Sequence, residues 1–391
     1  MTAPTLAELI APAPLVACLG SGGVGKTTIS AVLALRQAAA ARRSVVLTIA
    51  PARRLADALG VGALTNDPVA VTSFQKMHPR GSLAALMLDP TATFDHLIAM
   101  LVADPGRRAT LFANRYYQHM SRSLAGTLEY MAVERLHELS RSGQFDSIIL
   151  DTPPTTNALD FIEAPDKLAL FFSDRVVKWL MPAAPGPKSW TTKLFSRAGS
   201  VALALMARVG GEEFVKDTAG FFGTFADLLG SFRARGVEVG KLLRDRRTVF
   251  LIVCAPDLAR LAEAQAIDRR LAEAGCRTHG FIVNRVDEPF LPAGDEVERT
   301  IERATALLCS DRERPRVRAF MERLEALRQE HESRAQEHAR VVAALREHAG
   351  ARPVFCAPSV PAGQSPQAAL LALYVGLFAE AGGVAARAPG A

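Results

Sequence analysis

Gly20-Ser21-Gly22-Gly23-Val24-Gly25-Lys26-Thr27-Thr28 is the stretch on which the fold turns. It satisfies the pattern GxxxxGK[ST], follows the apolar run Leu15–Leu19 and opens into TTISAVLAL, a helix-forming segment. Strand, glycine-rich turn and helix in that order describe a loop that holds phosphate. The glycines let successive backbone N–H groups turn toward one anion, and the helix N-terminus adds partial positive charge. Lys26 supplies a point charge at the β and γ phosphates, and the Thr27 hydroxyl is placed to ligate Mg²⁺. Nucleotide binding by Gly20 to Thr28 is the first functional expectation.

Short apolar runs recur at Val45–Ile49, Ser147–Leu150, Val249–Cys254, Gly280–Val283 and Pro353–Cys356, with helical segments between them. That alternation predicts an α/β fold, a doubly wound, mainly parallel sheet of the P-loop NTPase type with helices on both faces. In such sheets ligands sit at the carboxyl ends of the strands. Asp151 ends one of these runs and is followed at once by Thr-Pro-Pro-Thr, so it is the second expected Mg²⁺ ligand beside Thr27, with Thr152 and Thr155 as further local donors. Asn284 follows the run Gly280–Val283; an amide both donates and accepts at an adenine edge. Taken by itself, a strand-end Asn reads more simply as a turn residue.

The chain divides into residues 1–160, the first part of the nucleotide-binding core; 161–245, an inserted helical subdomain; 246–380, the second part of the core; and a tail, 381–391. The insert is dense in phenylalanine, which either packs its own core or forms an apolar groove for a client. Within the second core part a charged stretch, about 316–348, predicts one long helix. Its alternating charge reads as a solvated face in preference to a partner-binding coiled coil.

With 391 residues, 49% hydrophobic and 22% charged, the chain can bury a large core, which excludes disordered, collagenous and disulfide-framework classes. The net charge of +6 rests almost wholly on arginine, since only eight of the 46 basic residues are lysine; no specific nucleic-acid partner is expected. Five scattered cysteines without a CxxC pair argue against zinc and secretion and for a reducing cytoplasm. Leu15-Val16-Ala17-Cys18 looks like a lipoprotein cleavage box, but no positive segment precedes it and Cys18 lies on the strand feeding the loop. No apolar run approaches the length of a membrane span.

GSGGVGKTT, LTIAPARRLADALG, LAGTLEYMAVERLHEL, DTPPTTNALDFIEAP, SFRAR and VNRV occur in the order and approximate spacing of the ArsA/GET-type ATPases, and the resemblance covers nearly the whole chain. These comprise the arsenite-pump ATPase and the carrier of tail-anchored membrane proteins, within the deviant-Walker class that includes MinD and ParA. The chain looks most like the bacterial single-domain, "anion-transporting ATPase" branch. The resemblance implies ATP and Mg²⁺ as cofactors, dimers that close around nucleotide, a membrane-protein or hydrophobic client as partner, and work in the cytoplasm or at the membrane periphery. It also implies a first switch at Ala50–Asp57, a second at Asp151–Asn157 and an adenine contact at Asn284.

Two departures bear on the chemistry. The family's signature lysine, which reaches across the dimer, is here Ser21, and the aspartate that opens its first switch is Ala50. A cation supplied in trans is worth several powers of ten in phosphoryl transfer, and a lost water-positioning group costs on the order of 10²–10⁴. With Lys26 and Asp151 retained, the expected protein is a degenerate protomer that binds ATP, hydrolyses it weakly and works as a homodimer or beside an intact paralogue. The alternatives are a ParA/MinD-like surface switch, against which the lack of basic residues in Gln367–Ala381 counts, and a purely non-catalytic partner subunit.

Overall fold

Among the described residues eight strands, β1 (Leu15–Leu19), β2 (Arg43–Thr48), β3 (Val69–Ala70), β4 (Ser82–Met87), β5 (Ser147–Asp151), β6 (Thr248–Cys254), β7 (Thr278–Val286) and β8 (Val354–Pro358), make one sheet in the order β3-β4-β2-β5-β1-β6-β7-β8. The structure is a computed structural model, and it describes residues 4–49, 53–73, 80–102, 104–113, 128–153, 160–164, 231, 234–288, 299, 303, 314–361 and 363–378. The triplet Ala50–Ala52, Thr155, nearly all of the helical insert and the tail lie outside the described residues.

Every strand pairing is parallel except that of β3 with β4. The sheet is parallel because the connections described return through helices: α2 (Lys26–Ala39) after β1, α3 (Arg53–Leu59) after β2, α4 (Pro90–Leu101), α5 (Pro105–Ala113) and α6 (Leu128–Arg141) between β4 and β5, α7 (Leu258–Glu273) after β6, α8 (Arg314–Ala349) after β7. A short α1 (Leu6–Ile10) precedes β1, and α9 (Pro366–Phe378) ends the described chain. Asp257 caps α7 by accepting from the Arg260 N–H, and Asp89 caps α4 by accepting from Ala92.

Strand alternation sorts the core into two layers. Leu15, Ala17, Leu19, Leu47, Phe250, Ile252 and Phe281 face α4, α6, α7 and the C-terminal part of α8. Val16, Cys18, Val46, Ile149, Leu251, Val253 and Ile282 face α1, α2, α3 and α9. Both faces are thus covered, which is why the strands read as continuous apolar runs and not as alternating ones. At the amino ends of β2 and β5, Arg43 and Asp146 form an ion pair of 2.6 Å.

The last turn of α8 is latched to α7. Asp268 accepts from His348 Nε2 at 2.8 Å and from Arg352 at 2.6 Å, and the Arg352 guanidinium lies 4.9 Å from the centre of the Phe281 ring. Further up α8, His338 Nδ1 accepts from the Asp287 N–H at 3.0 Å, just past the end of β7. β7 bulges against β8 between Asn284 and Val286, with Arg285 at φ 66°.

Candidate nucleotide site

β1 is central in the sheet, flanked by β5 and β6, so the loop leaving it opens where the carboxyl ends of three strands meet. The loop lies close on the sheet. A Cβ added to Gly20, whose φ is +153°, would stand 2.2 Å from the Val253 carbonyl oxygen of β6, a contact no larger residue could make without moving backbone. Gly25 is the N-cap of α2 in the left-handed region, φ 94°, and provides no side-chain cap, so the first N–H groups of α2 remain open to an anion.

Lys26 is buried and donates from Nζ to the carbonyls of Gly20 (2.9 Å) and Ser21 (2.8 Å), which holds the ammonium inside the loop. Burial lowers its pKa, and the nearby charge of Asp151 pulls the other way. Thr27 Oγ1 donates to Asp151 Oδ2 at 2.7 Å across 124 residues of sequence, and Thr48 Oγ1 donates to the same oxygen at 3.0 Å. The register explains the meeting: Cys18 on β1 and Thr48 on β2 both pair with Asp151 on β5. Thr152, next along, donates from Oγ1 to the Cys18 carbonyl at 2.7 Å. Thr28 is half-buried on the first turn of α2.

Asp151 is fully enclosed, and its Oδ1 has no partner among the described residues. Burial raises its pKa, against the hydrogen bonds from Thr27 and Thr48 and the charge of Lys26. A buried carboxylate oxygen left unpaired beside a threonine hydroxyl is a hard-oxygen donor set suited to Mg²⁺, which is typically held by one or two protein oxygens, with phosphate and water completing its shell. Among the described residues no cluster of three or more His, Cys, Asp or Glu side chains could hold a metal. Of the cysteines described, Cys18, Cys254 and Cys276 are buried and Cys356 is half-buried. Burial pushes the Cys18 thiol up to about 12, so this neighbour of the loop is inert at neutral pH.

Two residues expected from sequence sit in unexpected company. Asn284 is buried and donates from Nδ2 to the Val24 carbonyl at 2.8 Å, with its Oδ1 unpaired among the described residues. A Cβ on Gly25 would meet that Nδ2 at 2.2 Å, so loop and amide are fitted to each other. Ser21 is also buried, with the Glu263 carboxylate of α7 nearby. The Ser21 hydroxyl and the Arg260 guanidinium, the latter 2.9 Å away, hold Glu263 below its ordinary pKa. Thr48, Arg260 and Glu263 went unread in the sequence. Thr48 had one signal, a polar residue closing an apolar run, whereas Glu263, paired with Arg260, comes near Ser21 only because β6, which leads into α7, lies beside β1.

Residues 14–298 match the profile described as anion-transporting ATPase, a span that includes the phosphate loop, Thr48, Asp151 and Asn284. The chain belongs to the anion-transporting ATPase family. ATP is accordingly the ligand of the loop's class. Relatives at lower identity agree with this family membership. The chain is similar to ATPase GET3 of Podospora anserina, 27% identical over 268 residues that cover 68% of this chain and 71% of the relative. It is also similar to ATPase GET3 of Malassezia globosa (26% over 298 residues, 75% and 79%) and ATPase GET3A of Arabidopsis thaliana (27% over 293 residues, 73% and 69%). Among the described residues of this anion-transporting ATPase family member, no helix is long and apolar enough to cross a membrane.

Proposed function

We propose that the chain binds ATP with Mg²⁺ at Gly20–Thr28 and Asp151, and that it couples binding and slow hydrolysis to dimer closure and to contact with a hydrophobic client or membrane-protein partner. The observation that carries this reading is the convergence of Lys26, Thr27 and the half-paired Asp151 carboxylate beneath the open N-terminus of α2. Lys26 and the loop N–H groups bind and orient the phosphates, while Thr27 and Asp151 would hold the metal. The metal, when bound, supplies charge neutralisation at the β and γ oxygens. Asn284, with Oδ1 and one N–H not engaged by the loop, retains the donor and acceptor that an adenine edge requires.

Weak turnover follows from two substitutions. Ser21 is short and neutral, and its burial against Glu263 supports the view that this position sends no charge to a second site. Ala50 provides no group to orient water. The helical insert, 161–245, is the part of the chain proposed to meet the client. In a mixed dimer with an intact paralogue, this chain's site would receive a lysine yet lack its own aspartate.

Isothermal calorimetry tests the binding claim. Lys26→Ala removes a charge-assisted contact worth roughly 1.5–3 kcal/mol and is expected to weaken ATP binding accordingly. Equal affinities for the two proteins would overturn the assignment. For turnover, Ser21→Lys with Ala50→Asp is expected to raise the rate more than either change alone, because both groups act on one transition state. Brisk hydrolysis by the wild-type chain, unmoved by either substitution, would refute the degenerate reading.

A further inference from the structure

At the amino ends of β6 and β7, the end of the sheet away from the phosphate loop, lies a cavity of about 400 Å³. The length of β6, roughly 20 Å, separates the two. The volume falls within the range of small-molecule sites, roughly 300–1,000 Å³. Among the lining residues, Leu243, Phe250 and Cys276 belong to the buried core, whereas Arg244, Arg246, Arg277 and His279 bring charge and hydrogen-bond donors. Every lining residue is a described one. The long stretches outside the described residues leave β5 after Pro153 and β7 after Glu288, both at the opposite, carboxyl end of the sheet.

The backbone is irregular at this cavity. Phe250 pairs with Thr278 and Leu251 with Gly280, so His279 is the extra residue of a bulge between β6 and β7, a feature that re-aims a side chain. Its Nδ1 accepts the Phe250 N–H at 3.3 Å. A neutral imidazole that accepts at Nδ1 carries its proton on Nε2, so His279 is a donor without being charged. Burial and the charge of Arg277 lower its pKa and favour that neutral form.

The acid among the lining residues, Asp245, is engaged by Arg247 at 3.1 Å. Among the described residues neither Arg246 nor Arg277 meets a carboxylate. A simpler role for the two arginines is to offset helix dipoles, because α7 and the helix at 234–243 both end here. Two helix C-termini amount to about one negative charge together. One of the two guanidinium groups is left over.

We propose that this cavity binds a small organic phosphate monoester, its phosphate shared by Arg246, Arg277 and the His279 Nε2–H and its organic part set against the apolar side. A phosphate group presents three terminal oxygens to these three donors, where a carboxylate presents only two. The cavity is several times larger than a phosphate group alone requires, so inorganic phosphate fills it poorly. The site is separate from the ATP site and does not depend on it.

The test uses the full-length chain with saturating ADP–Mg²⁺, which occupies the phosphate loop, and phenyl phosphate as the probe. Calorimetry is expected to show phenyl phosphate binding roughly tenfold or more tighter than inorganic phosphate or benzoate. In the double variant Arg246→Gln, Arg277→Gln, which alters exposed side chains, its affinity is expected to fall by roughly tenfold or more, while ATP affinity stays at the wild-type value. In protein labelled with ¹³C at histidine, the imidazole signal identified by its loss in His279→Gln is expected to shift as phenyl phosphate is added. That signal reads the cavity whether or not the loop holds ADP. Benzoate or inorganic phosphate binding as tightly as phenyl phosphate would overturn the ligand class. An unmoved His279 signal, no measurable binding of phenyl phosphate, or wild-type affinity in the double variant would overturn the site.

Discussion

Asp151→Asn separates the demands of folding from those of ligand binding. In the apo protein the carboxylate is buried, accepts two hydroxyl hydrogen bonds on Oδ2 and leaves Oδ1 unpaired. Asparagine keeps the oxygen that faces Thr27 and Thr48 and removes a buried negative charge. It also places an N–H₂ where Oδ1 stood, and unpaired buried donors cost about 1–3 kcal/mol. These effects oppose one another, so the stability of the apo variant is expected to lie within about 1 kcal/mol of wild type. Binding has no such offset. Loss of the carboxylate removes a charged ligand interaction of roughly 1.5–3 kcal/mol, or about 10- to 150-fold in affinity. At an ATP–Mg²⁺ concentration 100 times the wild-type Kd, ligand stabilises the wild type by about 2.7 kcal/mol, and a 100-fold weaker variant by about 0.4 kcal/mol. Thermal unfolding with and without ATP–Mg²⁺ reads both numbers from one protein. A variant that is strongly destabilised when apo, yet gains as much from ATP–Mg²⁺ as wild type, would show that Asp151 serves the fold and not the ligand.

Gly20→Ala is expected to weaken ATP binding and to cost roughly 2 kcal/mol, since its Cβ would press on the Val253 carbonyl at 2.2 Å; unchanged nucleotide affinity would mean that the loop tolerates displacement from β6. Arg43 holds the Asp146 carboxyl down at about 2, so the pair adds stability above the unfolded aspartate value near 4 and loses it as pH falls from there through 2. Both side chains are well exposed, so the effect of Asp146→Asn should be small at pH 7 and vanish by pH 2 in urea titrations; a difference that persists at pH 2 would contradict the ion-pair account. Phe94→Ala, at a fully buried ring, should cost about 3–5 kcal/mol by the same urea titrations, and a loss under 1 kcal/mol would mean that the cavity collapses.

What could be read from sequence followed how local the determining physics was. Leu15–Leu19 is a strand in both readings, since a β-branched and aliphatic run before a glycine turn leaves little choice. The charged helix expected near 316–348 is α8, Arg314–Ala349, because its period is carried by every turn. β4 was missed: Ser-Leu-Ala-Ala-Leu-Met has helix-forming residues, and only pairing with β2 and cover on both faces make it extended. The antiparallel β3, two residues long, has no sequence signal at all. At the site, Lys26 and Thr27 are adjacent and legible as a motif, and Asp151 was legible as the end of a strand. Thr48 needed the register of β2 on β5, and the bond of Asn284 to Val24 needed β7 to end beside the loop. A strand-end amide shows in sequence, but the carbonyl it will meet does not.

The sheet's two margins are poor places for strand addition. β3 offers two residues, too few for a ladder, and β8 is bracketed by Pro353 and Pro358, neither of which has an N–H to donate. Among the described residues, six of the eight strands are interior and already paired on both sides. On the described sheet a partially unfolded neighbour therefore finds little free backbone on which to template, and these two margins are guarded against edge-to-edge pairing without spending charge. A specific assembly through this sheet has to be built from side chains on the helices and loops that cover it, where sequence can discriminate one partner from another.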